Sequence, residues 1–177
     1  MGGACSTNKP NAKLTPASPS TDQSGPGESA SGESLHSNGR RGQLSLSKVL
    51  HSPEPSVSGA LMAYARADMS EENLEFYYAV QDYHGNWDAK LEDEAARIAL
   101  CNEVIAQFLK AGAPKQVCIG DNKVKLMLER AEQGHYAKEM FDEAQAIARK
   151  TLLEDIFPRF EESEAGKALA TRPDLCE

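Results

Sequence analysis

Histidine and acidic residues are the first candidates for chemistry, because their side chains bind metal ions and transfer protons. The chain has four scattered histidines: His36, His51, His84 and His135. Glu132 and His135 have the Glu-x-x-His spacing of a helical metal-ligand pair, but Gly134 interrupts that turn; the same spacing at Glu33 and His36 lies in a Ser- and Gly-rich stretch without helical periodicity. A di-iron helix bundle needs this pair twice, with two further carboxylates. The sequence therefore predicts no metal site.

Nucleophilic catalysis and phosphate chemistry also lack a sequence signature. The chain contains neither a glycine-rich phosphate loop nor a GxSxG element. Cys118 is a candidate nucleophile, but no base lies beside it in sequence, and a lone cysteine among apolar neighbours is most often a packing residue. We therefore expect no catalytic residue, no cofactor and no enzyme activity.

A polar cluster at residues 70–73 opens the stretch SEENLEFYYAVQDY and is a better candidate for binding. Its simplest interpretation is local: Ser70 is predicted to cap a helix, with Glu71 and Glu72 at the positive end of the helix dipole. Asn73 is a weak helix former at the position where a capping box would place Glu or Gln. Helix capping therefore leaves Asn73 unexplained.

The elements that must position this cluster are helices. Apolar residues recur at helical spacing from Leu44 onward, and strand signals are absent, so we expect an all-α fold. Helices are predicted at 46–50, 58–66, from about 71, at 91–110, from 121 to about 133, from about 141 toward Pro158, and at 163–170. The stretch KQVCI is predicted to be an extended connection, and Pro158 to break or kink the long helix before it.

Composition divides the chain near residue 44. Residues 1–44 are rich in Ser, Gly and Pro and hold few apolar side chains, so we expect a disordered tail. The net charge of -8 argues against binding of nucleic acid. Four cysteines without paired spacing favour a reducing compartment, and no apolar run is long enough for a signal peptide or a membrane span. We expect an intracellular protein and, since no apolar stripe is left unexplained, a monomer.

Three segments together carry a family resemblance. SEENLEFYYAVQDY, FLKAGAPKQVCI and FDEAQAIARKTLLEDIFPRF, in this order and at these intervals, resemble the best-marked segments of the regulator of G-protein signalling (RGS) domain. The resemblance covers about residues 45–170. It implies an RGS domain at 45–172, followed by a short C-terminal tail at 173–177. The implied fold has about nine helices, a four-helix antiparallel bundle and a smaller subdomain formed by the two chain ends.

The resemblance also implies a binding surface and a mechanism. Loops at one end of the bundle would contact the switch segments of an activated, GTP-bound heterotrimeric G-protein alpha subunit (Gα). By position, this surface would include eight residues: Ser70, Glu71, Glu72, Asn73, Cys118, Thr151, Asp155 and Arg159. The domain would speed GTP hydrolysis by binding the transition-state form of Gα more tightly than the ground state, without supplying a catalytic group. Without the resemblance, the simplest interpretation of Asp155 and Arg159 is a solvated surface ion pair that contributes little to stability.

Two residues depart from the family pattern. The position of Cys118 usually holds Asn, sometimes Ser, and lies nearest the catalytic Gln of Gα; a thiol is a weak donor and acceptor. Thr151 stands where the family tends to have Leu. We therefore expect a working but weakened activator.

The N-terminus carries a separate motif. MGGACS fits the pattern for myristoylation of Gly2, and Cys5 could accept a palmitoyl group. Two acyl chains anchor a protein stably where one does not. We expect the protein at the cytoplasmic face of the plasma membrane, or in the cytoplasm if it is not acylated.

Two alternatives stay open at this point. The first is a scaffold or effector antagonist that holds active Gα with little acceleration of hydrolysis. The second is a helical interaction module that shares the fold and binds an unrelated partner.

Overall fold

Helices account for nearly all of the regular structure. The computed structural model describes residues 42–90 and 92–177, so Gly2, Cys5 and most of the predicted tail lie outside the described residues. The α-helices are α1 Leu46–Leu50, α2 Pro55–Ala67, α3 Glu72–Ala89, α4 Glu94–Val104, α5 Asp121–Glu132, α6 Asp142–Thr151, α7 Phe157–Glu162 and α8 Glu164–Leu169. The described residues form no strand, only an isolated antiparallel bridge between Leu44 and Cys176. The predicted all-α fold is confirmed.

Two of these helices continue into π turns. α4 runs on through Ile105–Leu109, and α6 runs through Leu152–Ile156 directly into α7. The backbone keeps helical dihedral angles at Thr151 and Phe157. Pro158 is the second residue of α7, so it does not end the helix. In a π turn the backbone N–H groups bond to the carbonyl five residues earlier instead of four. The helix before Pro158 therefore changes its hydrogen bonding locally and is not broken.

The buried apolar residues form two clusters that meet at α3. The first joins α3, α4, α5 and α6 and includes Phe76, Val80 and Phe141. The second joins α1 and α2 to the second π turn, α7 and the C-terminal residues. Leu74 and Tyr77, on another face of α3, belong to this second cluster. The arrangement agrees with a helical bundle beside a smaller unit built from both ends of the described chain.

Residues 173–177, expected to be a tail, pack against the second cluster. Leu44, Leu175 and Cys176 are all less than 9% exposed. Backbone bonds tie the two ends together: Ser45 N–H donates to the Leu175 carbonyl at 2.9 Å, and Glu177 N–H donates to that of Gln43 at 3.0 Å. The folded part therefore includes residues 42–44, which composition assigned to a tail, and residues 173–177, which the family resemblance assigned to another.

Few large apolar side chains face solvent within the described part of the chain. Met69, Leu126 and Leu153 are 88%, 48% and 46% exposed, and Met69 lies in the connection between α2 and α3. Over residues 42–90 and 92–177, no helix has the length and apolar character needed to cross a bilayer.

Candidate functional site

The connection between α2 and α3 holds Ser70 in a role different from the predicted one. Ser70 N–H donates to the Ala65 carbonyl at 2.9 Å, and its hydroxyl donates to the same carbonyl at 3.4 Å and to Asp68 Oδ2 at 3.1 Å. The N-cap of α3 is Glu71, whose side chain makes no capping bond. The prediction that Ser70 caps this helix is wrong, because its polar groups bond back to the end of α2.

Glu72 and Asn73 are the first two residues of α3, and their side chains are bonded to each other. Asn73 is only 9% exposed and donates from Nδ2 to Glu72 Oε1 at 3.1 Å. Burial raises the pKa of Glu72 above the ordinary value, and the neighbouring Glu71 and Glu75 carboxylates raise it further. Asn73 is thus the second helical residue, not the third. It therefore does not occupy the position that holds Glu or Gln in a capping box. Its amide is instead fixed in place by a partly buried carboxylate.

Arg159 joins the α2–α3 connection to the second π turn. Its Nη1 binds Asp68 Oδ2, its Nη2 lies 3.3 Å from Asp155 Oδ1, and its Nε donates to the Asp155 carbonyl at 3.2 Å. The hydrogen bond that the guanidinium donates to Asp68 raises the pKa of Arg159, and the Asp155 charge adds to the effect. Ser70 shares the Asp68 carboxylate, so Ser70, Asp155 and Arg159 lie in one continuous network.

Asp68 is a member of this network that the sequence did not reveal. It follows the last residue of α2, where an acidic residue has no obvious role, and its partner Arg159 is 91 residues away. The short α2–α3 connection places the Asp68 carboxylate in contact with two predicted site residues, Ser70 and Arg159.

Cys118 is exposed in the connection between the first π turn and α5. Its neighbours Val117 and Ile119 are 2% and 4% exposed, and Val117 N–H donates to the Phe108 carbonyl at 3.0 Å. Residues 116–118 form no helix, and burial alternates there, so that both neighbours of Cys118 are buried while Cys118 is exposed.

Glu75 ties the Cys118 connection to the start of α3. Its Oε2 lies 2.8 Å from Lys115 Nζ, and its Oε1 lies 3.3 Å from Arg66 Nη2. Burial alone would raise the pKa of Glu75, but the hydrogen bonds from Lys115 and Arg66 outweigh it, and the pKa lies below its ordinary value. Three segments, the end of α2, the first turn of α3 and the 110–120 connection, are therefore held by one carboxylate.

Thr151 is the last residue of α6 and lies directly before the second π turn. Its hydroxyl donates to the Ile147 carbonyl at 3.2 Å, a bond within its own helix. The side chain is half-buried. Its polar group is thus already bonded where the resemblance implies an apolar rim contact.

The groups gathered by these contacts suit hydrogen bonding to a protein surface. We call the two contact networks, with Glu71, Glu72, Asn73, Cys118 and Thr151, the rim. It presents carboxylates, one amide, two guanidinium groups and one ammonium group, and charged groups make the stronger hydrogen bonds. Among the residues that the structure describes, no group of three or more His, Cys, Asp or Glu side chains is placed to hold a metal ion.

Comparison with known proteins shows the family of this chain. The family described as the regulator of G protein signaling domain matches residues 45–168. Regulator of G-protein signaling 21 of Homo sapiens is 32% identical over 111 residues, which is 62% of this chain and 68% of that protein. Regulator of G-protein signaling 16 of Sus scrofa is 28% identical over 113 residues, 64% of this chain and 53% of that protein.

A third relative extends the match along this chain. Regulator of G-protein signaling 19 of Rattus norvegicus is 28% identical over 125 residues, 71% of this chain and 54% of that protein. The chain thus spans about half the length of the last two relatives. The family match covers more than half of the chain and includes every predicted rim residue. The chain belongs to the family of regulators of G-protein signalling.

Proposed function

We propose that the rim binds the switch segments of an activated Gα subunit and accelerates its GTP hydrolysis. The observation that carries the proposal is the Arg159–Asp68–Ser70 network, which brings together the α2–α3 connection and α7, two segments far apart in sequence. A surface made of several segments can hold several mobile segments of a partner at once.

The mechanism requires no catalytic group from this chain. Gα carries its own catalytic Arg and a Gln that orients the attacking water. Its switch segments must adopt the productive arrangement, and a partner that binds this arrangement more tightly than the ground state lowers the barrier by the difference. A rigid rim suits this task, and the Asn73–Glu72 bond limits the freedom of both side chains.

Binding to Gα in three nucleotide states tests the proposal directly. Gα subunits loaded with GDP, a GTP analogue, or GDP with aluminium fluoride are offered to the immobilised full chain, and single-turnover GTP hydrolysis is measured in parallel. We expect retention to be strongest in the fluoride state, which mimics the transferring phosphoryl group, and hydrolysis to speed up. Equal retention in all three states would favour an unrelated partner.

A matched pair of variants locates the binding surface. Asn73→Ala is expected to lower the acceleration about tenfold or more, because a fixed amide is removed from the contact. Asn86→Ala changes an exposed asparagine on the same helix and should leave the rate unchanged. Melting of both variants by circular dichroism checks that each is folded. Full activity of Asn73→Ala would remove this residue from the site.

A second function uses the same surface without acceleration. Cys118 is exposed where the family usually places Asn, and a cysteine sulfur is a poor hydrogen-bonding group compared with an amide. This observation favours a scaffold or effector antagonist that holds active Gα. Retention in the fluoride state without faster hydrolysis would identify this second function.

Membrane attachment through Gly2 and Cys5 is a further part of the proposal. Gα subunits lie at the inner leaflet, and a shared membrane raises the effective concentration of the domain around them. Labelling of cells with myristate and palmitate analogues tests it, with Gly2→Ala and Cys5→Ser as controls. A chain that stays unlabelled with Gly2 intact would contradict the attachment.

A further inference from the structure

A cluster of charged side chains lies where the α1–α2 connection contacts the C-terminal residues. The Arg172 guanidinium binds Glu54 through two bonds of 2.7 and 2.8 Å, and its Nη2 lies 2.8 Å from Asp174 Oδ2. Lys48 Nζ donates to the Cys176 carbonyl. The Glu54 and Asp174 bonds raise the pKa of Arg172, so this cation stays charged at all relevant pH values.

Ser52 lies beside this cluster. A cavity of about 450 Å³ is lined by Lys48, Ser52, Glu54, Arg172 and Asp174 together with four neighbours. The Ser52 side chain is half-buried, and its hydroxyl oxygen accepts a hydrogen bond from Glu54 N–H at 3.2 Å. Ser52 therefore lines a space that also contains two cations and two carboxylates.

Ser52 lies in the non-helical connection between α1 and α2 and forms the Ser-Pro step that a proline-directed kinase recognises. Ser52 precedes Pro53, which disfavours a helical conformation at Ser52, and Glu54 is extended with φ -89° and ψ 112°. His51, Pro53 and Glu54 are all exposed. This serine-proline step lies in the folded domain, whereas Thr15-Pro16 and Ser18-Pro19 precede the described residues.

We propose that Ser52 is a phosphorylation site for a proline-directed kinase, and that its phosphate takes Arg172 from Glu54. The Ser52 oxygen bonds to the γ-phosphorus of ATP, the bond from that phosphorus to the bridging oxygen breaks, ADP leaves, and the hydroxyl proton goes to the kinase's base. The phosphate carries a charge of about −1.5 to −2 and three acceptor oxygens. Arg binds such a group through two parallel bonds.

The charge balance of the cluster explains why Glu54 is the group displaced. Lys48 and Arg172 now face Glu54 and Asp174, so the fixed charges cancel before modification. The phosphate adds about two negative charges to the same cavity and competes with both carboxylates for Arg172. Asp174 is two residues from Arg172 and moves with it, while Glu54 is 118 residues away. Phosphorylation thus replaces the ion pair between Arg172 and Glu54 by an ion pair between Arg172 and the phosphate on Ser52.

The first experiment asks whether the folded chain is modified. The full chain is incubated with ATP and a proline-directed serine/threonine kinase, and sites are mapped by mass spectrometry, with Ser52→Ala as the control. We expect near-complete modification of Ser52 in the native chain. Absence of phosphate at Ser52, or its appearance only after unfolding, would overturn the proposal whatever happens at Thr15 and Ser18.

The second experiment tests the exchange at Arg172. Phosphoserine is encoded at position 52, and Glu54→Gln is made with and without it. In the unmodified chain Glu54→Gln should lower the Tm by about 2 °C, because a bidentate surface pair is lost. In the phosphorylated chain this loss should vanish or reverse, since Glu54 has already lost its cation. An equal fall in both backgrounds would show that the phosphate does not reach Arg172.

Discussion

At the scale of single residues, the rim includes a carboxylate that lowers the stability of the fold. Glu72 is partly buried between two other carboxylates, and its pKa is raised above the ordinary value. Its ionised form is therefore less favourable in the folded chain than in the unfolded one. Binding surfaces often keep such groups although they lower stability.

Glu72→Gln tests this cost. The stability linked to Glu72 is fully present below the ordinary glutamate pKa of 4.5 and is lost as pH rises through the higher pKa of the folded state. Glu72→Gln keeps an oxygen to accept from Asn73 and should raise the Tm by about 1–3 °C at pH 7, with no gain below pH 4. Thermal melts over this pH range measure the effect, with exposed Glu132→Gln as the control. A gain that does not vary with pH would have another cause.

Cys118→Asn tests the departure from the family pattern at the rim. An amide donates and accepts hydrogen bonds more strongly than a cysteine sulfur, so we expect single-turnover GTP hydrolysis by Gα to rise about three- to tenfold. Cys118→Ala should not raise the rate. An unchanged rate in Cys118→Asn would refute the idea that this position limits activity.

The sequence identified part of this rim and missed the rest for a physical reason. Asn73 was noticed because it is a poor helix former at a helix start, and Arg159 because it matches a family segment. Asp68 and Glu75 have no such signal, since an acidic residue on a helix or at its end is usually solvated. Their roles depend on Arg159 and Lys115, which are close in space and distant in sequence.

At the scale of elements, helix periodicity predicted the helices well and their ends less well. α3 begins at Glu72 because Ser70 is occupied at the end of α2, a competition that a local pattern does not contain. The π turns after α4 and α6 were also not predicted. Their side chains follow ordinary helical spacing, and the shift to i−5 bonding depends on packing against neighbouring helices.

Glu75→Gln tests whether the Cys118 connection is positioned by α3. The change removes the ion pairs to Lys115 and Arg66, so we expect the affinity for fluoride-state Gα to fall severalfold and the Tm to fall by about 2–4 °C. Because the pKa of Glu75 is lowered, its contribution to stability is full above pH 4.5 and is lost only as pH falls through the lower value. Wild type and variant should therefore converge in acid.

Lys125→Gln is a control for that experiment, because its pair with Glu129 lies on the exposed face of α5 at 3.8 Å. It should change neither affinity nor the acid dependence. If Glu75→Gln binds Gα as wild type does, the connection is held without this carboxylate.

At the scale of the whole molecule, α3 connects the two apolar clusters. Phe76 and Val80 belong to the bundle, while Leu74 and Tyr77 belong to the unit built from the chain ends. The rim begins at the N-terminus of the same helix. Changes in the second cluster should therefore reach the binding surface.

Deletion of residues 173–177 tests this connection. It removes the buried Leu175 and Cys176 side chains and the bond from Ser45 to the Leu175 carbonyl, so we expect a loss of about 3 kcal/mol in stability and a Tm lower by about 10 °C. Acceleration of GTP hydrolysis should fall as well. Glu177→Ala, which changes only an exposed side chain and keeps the backbone bond to Gln43, is the control. A truncated chain that melts with the full one would show that these residues contribute nothing to the core.

The hydrogen bond between Glu177 and Gln43 brings the two ends of the fold close enough for a circular permutation of the chain. The first and last described residues leave the fold side by side, so a few glycines would join them without disturbing either cluster. New ends could then be opened in the exposed turn at Gly134, between α5 and α6. Such a circular permutant would keep every rim contact while moving the point of attachment to a different part of the surface.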